Sequence, residues 1–259
     1  MIDYFAQGFI FFDNALFLFP LLTMGFIWFE RRTFYHAICL VLLTILVNTA
    51  LKITFKVPLS PSIHHVGFAF PSGHMQLATT LYLWFAMRVH NIWFSALIFL
   101  LLCGIAWGTI HFGYHNFFEI SGGVFFALVT LFFYYFVEIK APKILAAIVI
   151  TLATLLLIYI QFYLPMPNAW KGFYGLWGFI IAEKIVKPKS FLTNKRVKLL
   201  ATIFFLLGAI VLNAAFSWTG AVLAAWIYQL KWLFIGFLLP FVNSLGAKSL
   251  KGFKLRTLR

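Results

Sequence analysis

Residues 67–76 read GFAFPSGHMQ, a polar interruption in a chain that is otherwise apolar residue after apolar residue. Pro71 closes the preceding extended segment, because the residue before a proline is pushed out of the helical region. Ser72 and Gly73 then open a helix. The first turn of a helix presents unpaired N–H groups and the positive end of the helix dipole, which suits an anion such as phosphate. Gly73 lets a ligand approach the backbone closely. His74 falls in that first turn, within reach of a leaving-group oxygen. The stretch therefore predicts a membrane helix that begins at an anion-binding turn.

The surrounding composition agrees with a membrane setting. The chain has 259 residues, 63% hydrophobic and 10% charged, with 34 phenylalanines. A soluble domain is about half apolar and about a quarter charged. The net charge of +14 does not indicate nucleic acid, since the basic residues are spread between apolar runs rather than gathered in a solvated domain. Cys39 and Cys103 both lie inside apolar runs, where they are expected as small buried hydrophobes without a disulfide. MIDYFAQ lacks the basic start of a signal peptide, and Arg31-Arg32 closes the first apolar run. That run is expected to be a first span with its N-terminus outside.

A span needs about 20 mostly apolar residues. Candidates lie at 8–29, 34–51, 75–89, 92–110, 118–138, 144–164, 171–187, 199–216 and 220–243. The seventh is short and carries Glu183. Charge argues for keeping it. With nine spans, 16 of the 20 basic residues face inside, and Lys52, Lys56 and Lys171 face outside. Without it, the basic loop at 184–198 and the tail at 248–259 would change sides, against the positive-inside bias. Lys231 falls within the last candidate span. It is expected either to snorkel or to sit where that helix breaks before Pro240.

This topology brings two loops to one outer face. Residues 52–74 carry Lys52, Lys56, His64, His65, Ser72 and His74, and residues 109–119 carry His111, His115 and Glu119. Five of the seven histidines meet there. Lys52 and Lys56, four apart, are expected to share a helix face. His115 and Glu119 are also four apart, at the start of the fifth span. The carboxylate can take one imidazole N–H and make the other nitrogen a nucleophile.

The order of these elements resembles the type 2 phosphatidic acid phosphatase/haloperoxidase superfamily, whose three motifs have the forms K-x6-R-P, P-S-G-H and S-R-x5-H-x3-D. The second stands intact as Pro71-Ser72-Gly73-His74. The first aligns with KITFKVPLS from Lys52 to Ser60, and the third with GTIHFGYHNFFE from Gly108 to Glu119, followed by ISGG. The resemblance covers roughly residues 10–140. It implies an all-α polytopic membrane helical bundle, a six-span phosphatase-like core plus about three extra C-terminal spans. The lipid-phosphatase-like part would be 1–140. Residues 141–259 would add spans and a basic cytoplasmic tail, as in the longer sphingoid-phosphate phosphatases.

By the same resemblance, His115 would attack phosphorus and carry a phosphohistidine, Glu119 would orient it, and His74 would protonate the leaving group. Lys52, Ser72 and the Gly73 amide would hold the phosphate oxygens, and no metal or organic cofactor is implied. The substrate would be a lipid phosphate or diphosphate at the outer face, with membrane lipids as the only other partner and no nucleic acid. Phosphatidate, phosphatidylglycerophosphate, polyprenyl diphosphate and sphingoid phosphates all remain open. The first motif carries Leu59-Ser60 in place of Arg-Pro, the third carries Gly108-Thr109 in place of Ser-Arg, and Glu119 replaces aspartate. Lys56 and His111 are candidate stand-ins for the two arginines. Two alternatives stand beside hydrolysis: a lipid-phosphate binder or scaffold without catalysis, and a transporter suggested by Lys231 and Asn48.

Overall fold

Within a bilayer each backbone N–H and C=O must find its partner inside the chain, and the apolar runs accordingly form helices. The computed structural model describes residues 1–59, 67–164, 166–186, 194–219 and 225–256. His64, His65 and Ser60 lie outside the described residues. The helices are α1 (Ile2–Phe11), α2 (Ala15–Trp28), α3 (Arg31–Phe55), α4 (Gly73–Val89), α5 (Ile92–His111) and α6 (Phe117–Lys140). They continue with α7 (Leu145–Tyr163), α8 (Pro167–Val186), α9 (Lys195–Thr219), α10 (Ala225–Gln229) and α11 (Lys231–Arg256). Among the described residues the only β pairing is an isolated bridge between Pro58 and Phe68.

Among the described residues six segments are long and apolar enough to cross a membrane: Ile2–Trp28, Arg31–Phe55, Ile92–His111, Phe117–Lys140, Leu145–Tyr163 and Lys195–Ser217. The chain is a multi-pass, all-helical integral membrane protein. The other three expected spans correspond to α4, α8 and α11, which are helical but shorter or more polar. The Glu183 carboxylate of α8 is neutralised within the bundle, where it meets Arg31 of α3 at 2.5 Å.

The first expected span is not one helix. It breaks at Phe12–Asn14, where Asn14 caps α2 by accepting the Leu16 N–H at 2.9 Å. An Asn at this position satisfies an orphan N–H and starts a new helix. The two halves then separate: α1 packs on α5, whereas α2 packs on α3 and α9. Gly104 and Gly108 of α5 permit the first of these contacts. A Cβ at Gly108 would stand 2.8 Å from the Ala6 carbonyl, and one at Gly104 would strike the Phe9 ring. This is the small-residue seam by which membrane helices approach backbone to backbone.

Helix α3 is central, touching α2, α4, α6, α7 and α8. Leu40 and Leu43 of α3, Trp84 of α4, Tyr134 of α6, Leu157 of α7, Leu176 of α8 and Leu239 of α11 belong to one buried core. That core runs across the expected division at residue 140. Large apolar side chains such as Phe132, Phe136 and Ile210 face outward, as a lipid-facing belt requires. Cys39 is buried, but Cys103 is exposed on α5, contrary to expectation, because it lies on the outward side of that helix.

The C-terminal region breaks beside Lys231 and ahead of Pro240, one of the two arrangements expected there. The break falls at Leu230, between α10 and α11, and α11 then continues through Pro240 to Arg256. Lys231 sits at that break with its ammonium donating to Asn213 Oδ1 at 2.8 Å and 3.9 Å above the Tyr228 ring. It is buried and satisfied locally, without snorkelling.

Candidate active site

The turn Pro71–His74 is built from three helices. Ser72 caps α4, and its own N–H donates to the Glu119 carbonyl of α6 at 3.0 Å. Gly123 brings α6 so close that a Cβ there would stand 2.8 Å from the Ser72 carbonyl. From α3, Asn48 Nδ2 donates to the Pro71 carbonyl at 3.2 Å and to Gln76 Oε1 at 2.9 Å. A Cβ at Gly73 would lie 3.0 Å from Asn48 Oδ1, so a side chain there would push Asn48 back by a few tenths of an ångström. Asn48 thus serves as a brace for the turn.

His115 is fixed by the start of α6. Asn116 and Glu119 form a reciprocal capping box, the arrangement that satisfies two orphan N–H groups at once. Within it, Glu119 Oε2 lies 2.6 Å from His115 Nδ1, while Asn116 Nδ2 donates to Oε1 at 2.8 Å. Both side chains are nearly buried. The Thr109 carbonyl accepts the Tyr114 and His115 N–H groups at 3.0 and 3.4 Å, which ties the loop before α6 to the end of α5.

The break in the first apolar run supplies a residue that no motif announced. Asp13, 2% exposed at the side chain, places Oδ2 2.5 Å from His74 Nδ1. Each of the two histidines is therefore held at Nδ1 by a carboxylate. Each Nε2 is left without a protein partner among the described residues. The two rings differ in their electrostatics. His74 stands ahead of the apolar stretch that begins at Met75, and its hydrogen bond to Asp13 raises its pKa above the ordinary histidine value, against burial and the Lys52 charge. Burial lowers that of His115, and the Lys52 and His74 charges act the same way, outweighing the pull of Glu119. The arrangement favours a protonated His74 beside a neutral His115.

Both histidines line one cavity of about 790 Å³, together with Lys52, Asn48, Gly73 and Asp13. Ile45, Leu77 and Met166 give it apolar wall, and Asn168 and Lys171 of α8 complete it. Not every expected site residue is there. Ser72 is fully buried, its hydroxyl accepting the Met75 N–H at 3.4 Å, and it does not line the cavity. Glu119 lies behind His115 and acts only through it.

Lys56 does not share a helix face with Lys52. Helix α3 ends at Phe55, and Lys56 is the left-handed cap at φ 51°, exposed and outside the cavity lining. His111 pairs with Asp3 of α1 at 2.7 Å and stacks on Trp107, so it too lies apart. At the two arginine positions, Leu59 lines the cavity as an apolar wall residue, and the Thr109 hydroxyl is buried against the Ile105 carbonyl.

No family model matches this chain, and no curated protein and no solved structure matches it either. Function is therefore argued from the cavity itself. Sequence reasoning missed Asp13 and Lys171. A signal existed for Asp13: an acidic residue inside an apolar run is by default a functional candidate. Lys171 could be placed beside Lys52 only once α8 was known to pack on α3.

Proposed function

We propose that this membrane protein hydrolyses a lipid phosphate or diphosphate through a phosphohistidine intermediate, in the manner of the type 2 phosphatidic acid phosphatases. The cavity would open at the outer face, with nine spans, the N-terminus outside and the basic C-terminal segment in the cytoplasm. The positive-inside distribution supports that orientation. One observation carries the reading: two histidines from separate loops line the same cavity as Lys52, each with Nδ1 on a carboxylate and Nε2 without a partner among the described residues.

The chemistry divides between them. Glu119 accepts the Nδ1–H of neutral His115, leaving the Nε2 lone pair to attack phosphorus. The bond from phosphorus to the lipid oxygen breaks as the new P–N bond forms. Protonated His74, its Nδ1–H held by Asp13, passes its Nε2 proton to the departing oxygen. A water molecule then attacks the phosphohistidine and gives its proton to neutral His74, so that phosphate leaves and both rings return to their starting states. Lys52 and the Gly73 backbone at the start of α4 hold the phosphate oxygens. The apolar wall of Ile45, Leu77 and Met166 suits a lipid tail.

The test is direct. Protein purified in detergent should release inorganic phosphate from at least one member of a panel of lipid mono- and diphosphates, and His115→Ala should lower release to background. Release from no member, or release that survives that change, refutes hydrolysis. A second reading, binding without turnover, is favoured by one specific observation. Neither Leu59 nor Thr109 brings a cation to the phosphate. Lipid-phosphate binding with no release would select it.

A further inference from the structure

The helix that supplies the missing charge is α8. We propose that Lys171 is the second phosphate-binding cation of the cavity, doing from α8 what no residue of the first and third motifs does here. The proposal rests on the reading of this cavity as a phosphate site.

Three observations carry it. First, Lys171 and Lys52 are the two lysines that line the cavity, and they arrive from different helices. Second, Lys171 makes no ion pair among the described residues, whereas Arg31, Arg32 and Arg88 all pair with carboxylates. Among the described residues the one carboxylate of the cavity lining, Asp13, is engaged by His74. An ammonium that lines a cavity with no carboxylate pairing it keeps its charge available to an anion that enters.

Third, the position of Lys171 is fixed by the backbone. At the adjacent Gly172, a Cβ would stand 3.0 Å from the Leu42 carbonyl, so α8 lies directly against α3. Further along, Glu183 locks α8 to Arg31 at 2.5 Å. Two fixed points on one pair of helices hold Lys171 and Lys52 in register.

The chemistry of the pair differs from that of an arginine clamp. A guanidinium grips two oxygens in one plane, whereas an ammonium is a compact point charge. Two lysines on separate helices can contact different oxygens of one phosphate, or successive phosphates of a diphosphate. The competing role is snorkelling, in which the Lys171 stem covers apolar surface and its head meets water.

The experiment measures inorganic phosphate on the full chain in detergent, both as a ligand followed by phosphorus NMR and as a competitive inhibitor of lipid-phosphate hydrolysis. Lys171→Met keeps the apolar stem and removes the charge. It should weaken phosphate affinity and raise KM by about tenfold to a hundredfold, the size expected for one charge-assisted contact, with kcat within about threefold. Lys171→Arg should restore most of the loss. Should the methionine variant fail to fold, Lys171→Gln carries the same expectation. Unchanged phosphate affinity in Lys171→Met, with Lys52→Met weakening it, overturns the proposal and supports snorkelling while leaving hydrolysis standing. Phosphate binding that depends on Lys171 in a protein that releases none upholds the proposal and refutes hydrolysis. A wild-type protein that binds no phosphate overturns the proposal and leaves hydrolysis to the release assay.

Discussion

Helices α3, α4 and α6 each run from one polar cluster to another, and the two ends handle charge in opposite ways. At the far end from the cavity, Glu138 of α6 takes Arg88 of α4, Arg32 of α3 at 3.7 Å and His36 of α3 at 3.4 Å. Arg88 also lies 4.0 Å over the Trp84 ring, and His36 Nδ1 meets the Tyr134 hydroxyl at 2.8 Å. Carboxylates there are spent on arginines. At the cavity end, carboxylates are spent on histidines, and Lys52 and Lys171 have no acidic partner of their own among the described residues. The arginines of these helices sit where charge is neutralised, and the point-charge cations sit where a ligand would enter. One end is a fastener; the other is built to receive an anion.

The contrast can be broken from either side. The largest effect expected is on turnover. Glu119→Gln should lower kcat about a thousandfold, the middle of the range for a lost acid–base contribution, while the protein stays folded, since an amide can still cap α6. Asp13→Asn comes next, with about a hundredfold loss on lipid substrates whose leaving group is an alkoxide. The same variant should lose less on nitrophenyl phosphate, whose leaving group departs without a proton, so that only hydrolysis of the phosphohistidine still draws on His74. Equal losses on both substrates would show that Asp13 holds structure rather than the acid.

The fastening end should respond differently. Glu138→Ala leaves the partly buried Arg88 without its carboxylate and should cost roughly 3 kcal/mol of stability, read as a lower unfolding temperature in detergent, with turnover per folded molecule unchanged. A loss of turnover without a loss of stability would erase the distinction between the ends.

A pH profile sharpens the cavity end further. Turnover needs His115 neutral and His74 protonated. Because the pKa of His115 is lowered and that of His74 is raised, the acid limb should lie below the ordinary histidine range and the alkaline limb above it. Asp13→Asn should draw the alkaline limb down and leave the acid limb in place. A profile whose alkaline limb ignores Asp13 would assign the acid elsewhere. The smallest effect is expected at Lys56 and His111. Alanine at either should change KM by no more than about twofold, since neither lines the cavity.

What could be read in the sequence follows from how far each contact reaches along the chain. The cap at Ser72 and the His115–Glu119 pair are local, four residues or fewer, and spacing alone announces them. The helices themselves are legible because lipid demands long apolar runs. The break at Asp13 was hidden by its flanks: Phe11, Phe12 and Leu16 keep the run apolar although Asn14 is a good helix start. Lys56 was misjudged because i,i+4 spacing says nothing about where a helix ends. The brace from Asn48 and the placement of Lys171 depend on which helices are neighbours in space, and nothing in the residues around them encodes that.

The glycines of α8 have a mechanical consequence. On one side Gly172 and Gly175 meet α3; on the other a Cβ at Gly178 would collide with the Leu233 carbonyl of α11, and one at Gly236 with the Gly175 carbonyl. Helix α8 is thus gripped between two others at points where peptide backbone meets peptide backbone, beside ring contacts such as Phe179 on Phe26 and Tyr35. The gap between the two lysines then behaves as a calliper whose jaws are set by backbone thickness, unresponsive to repacking of the lipid-facing surface.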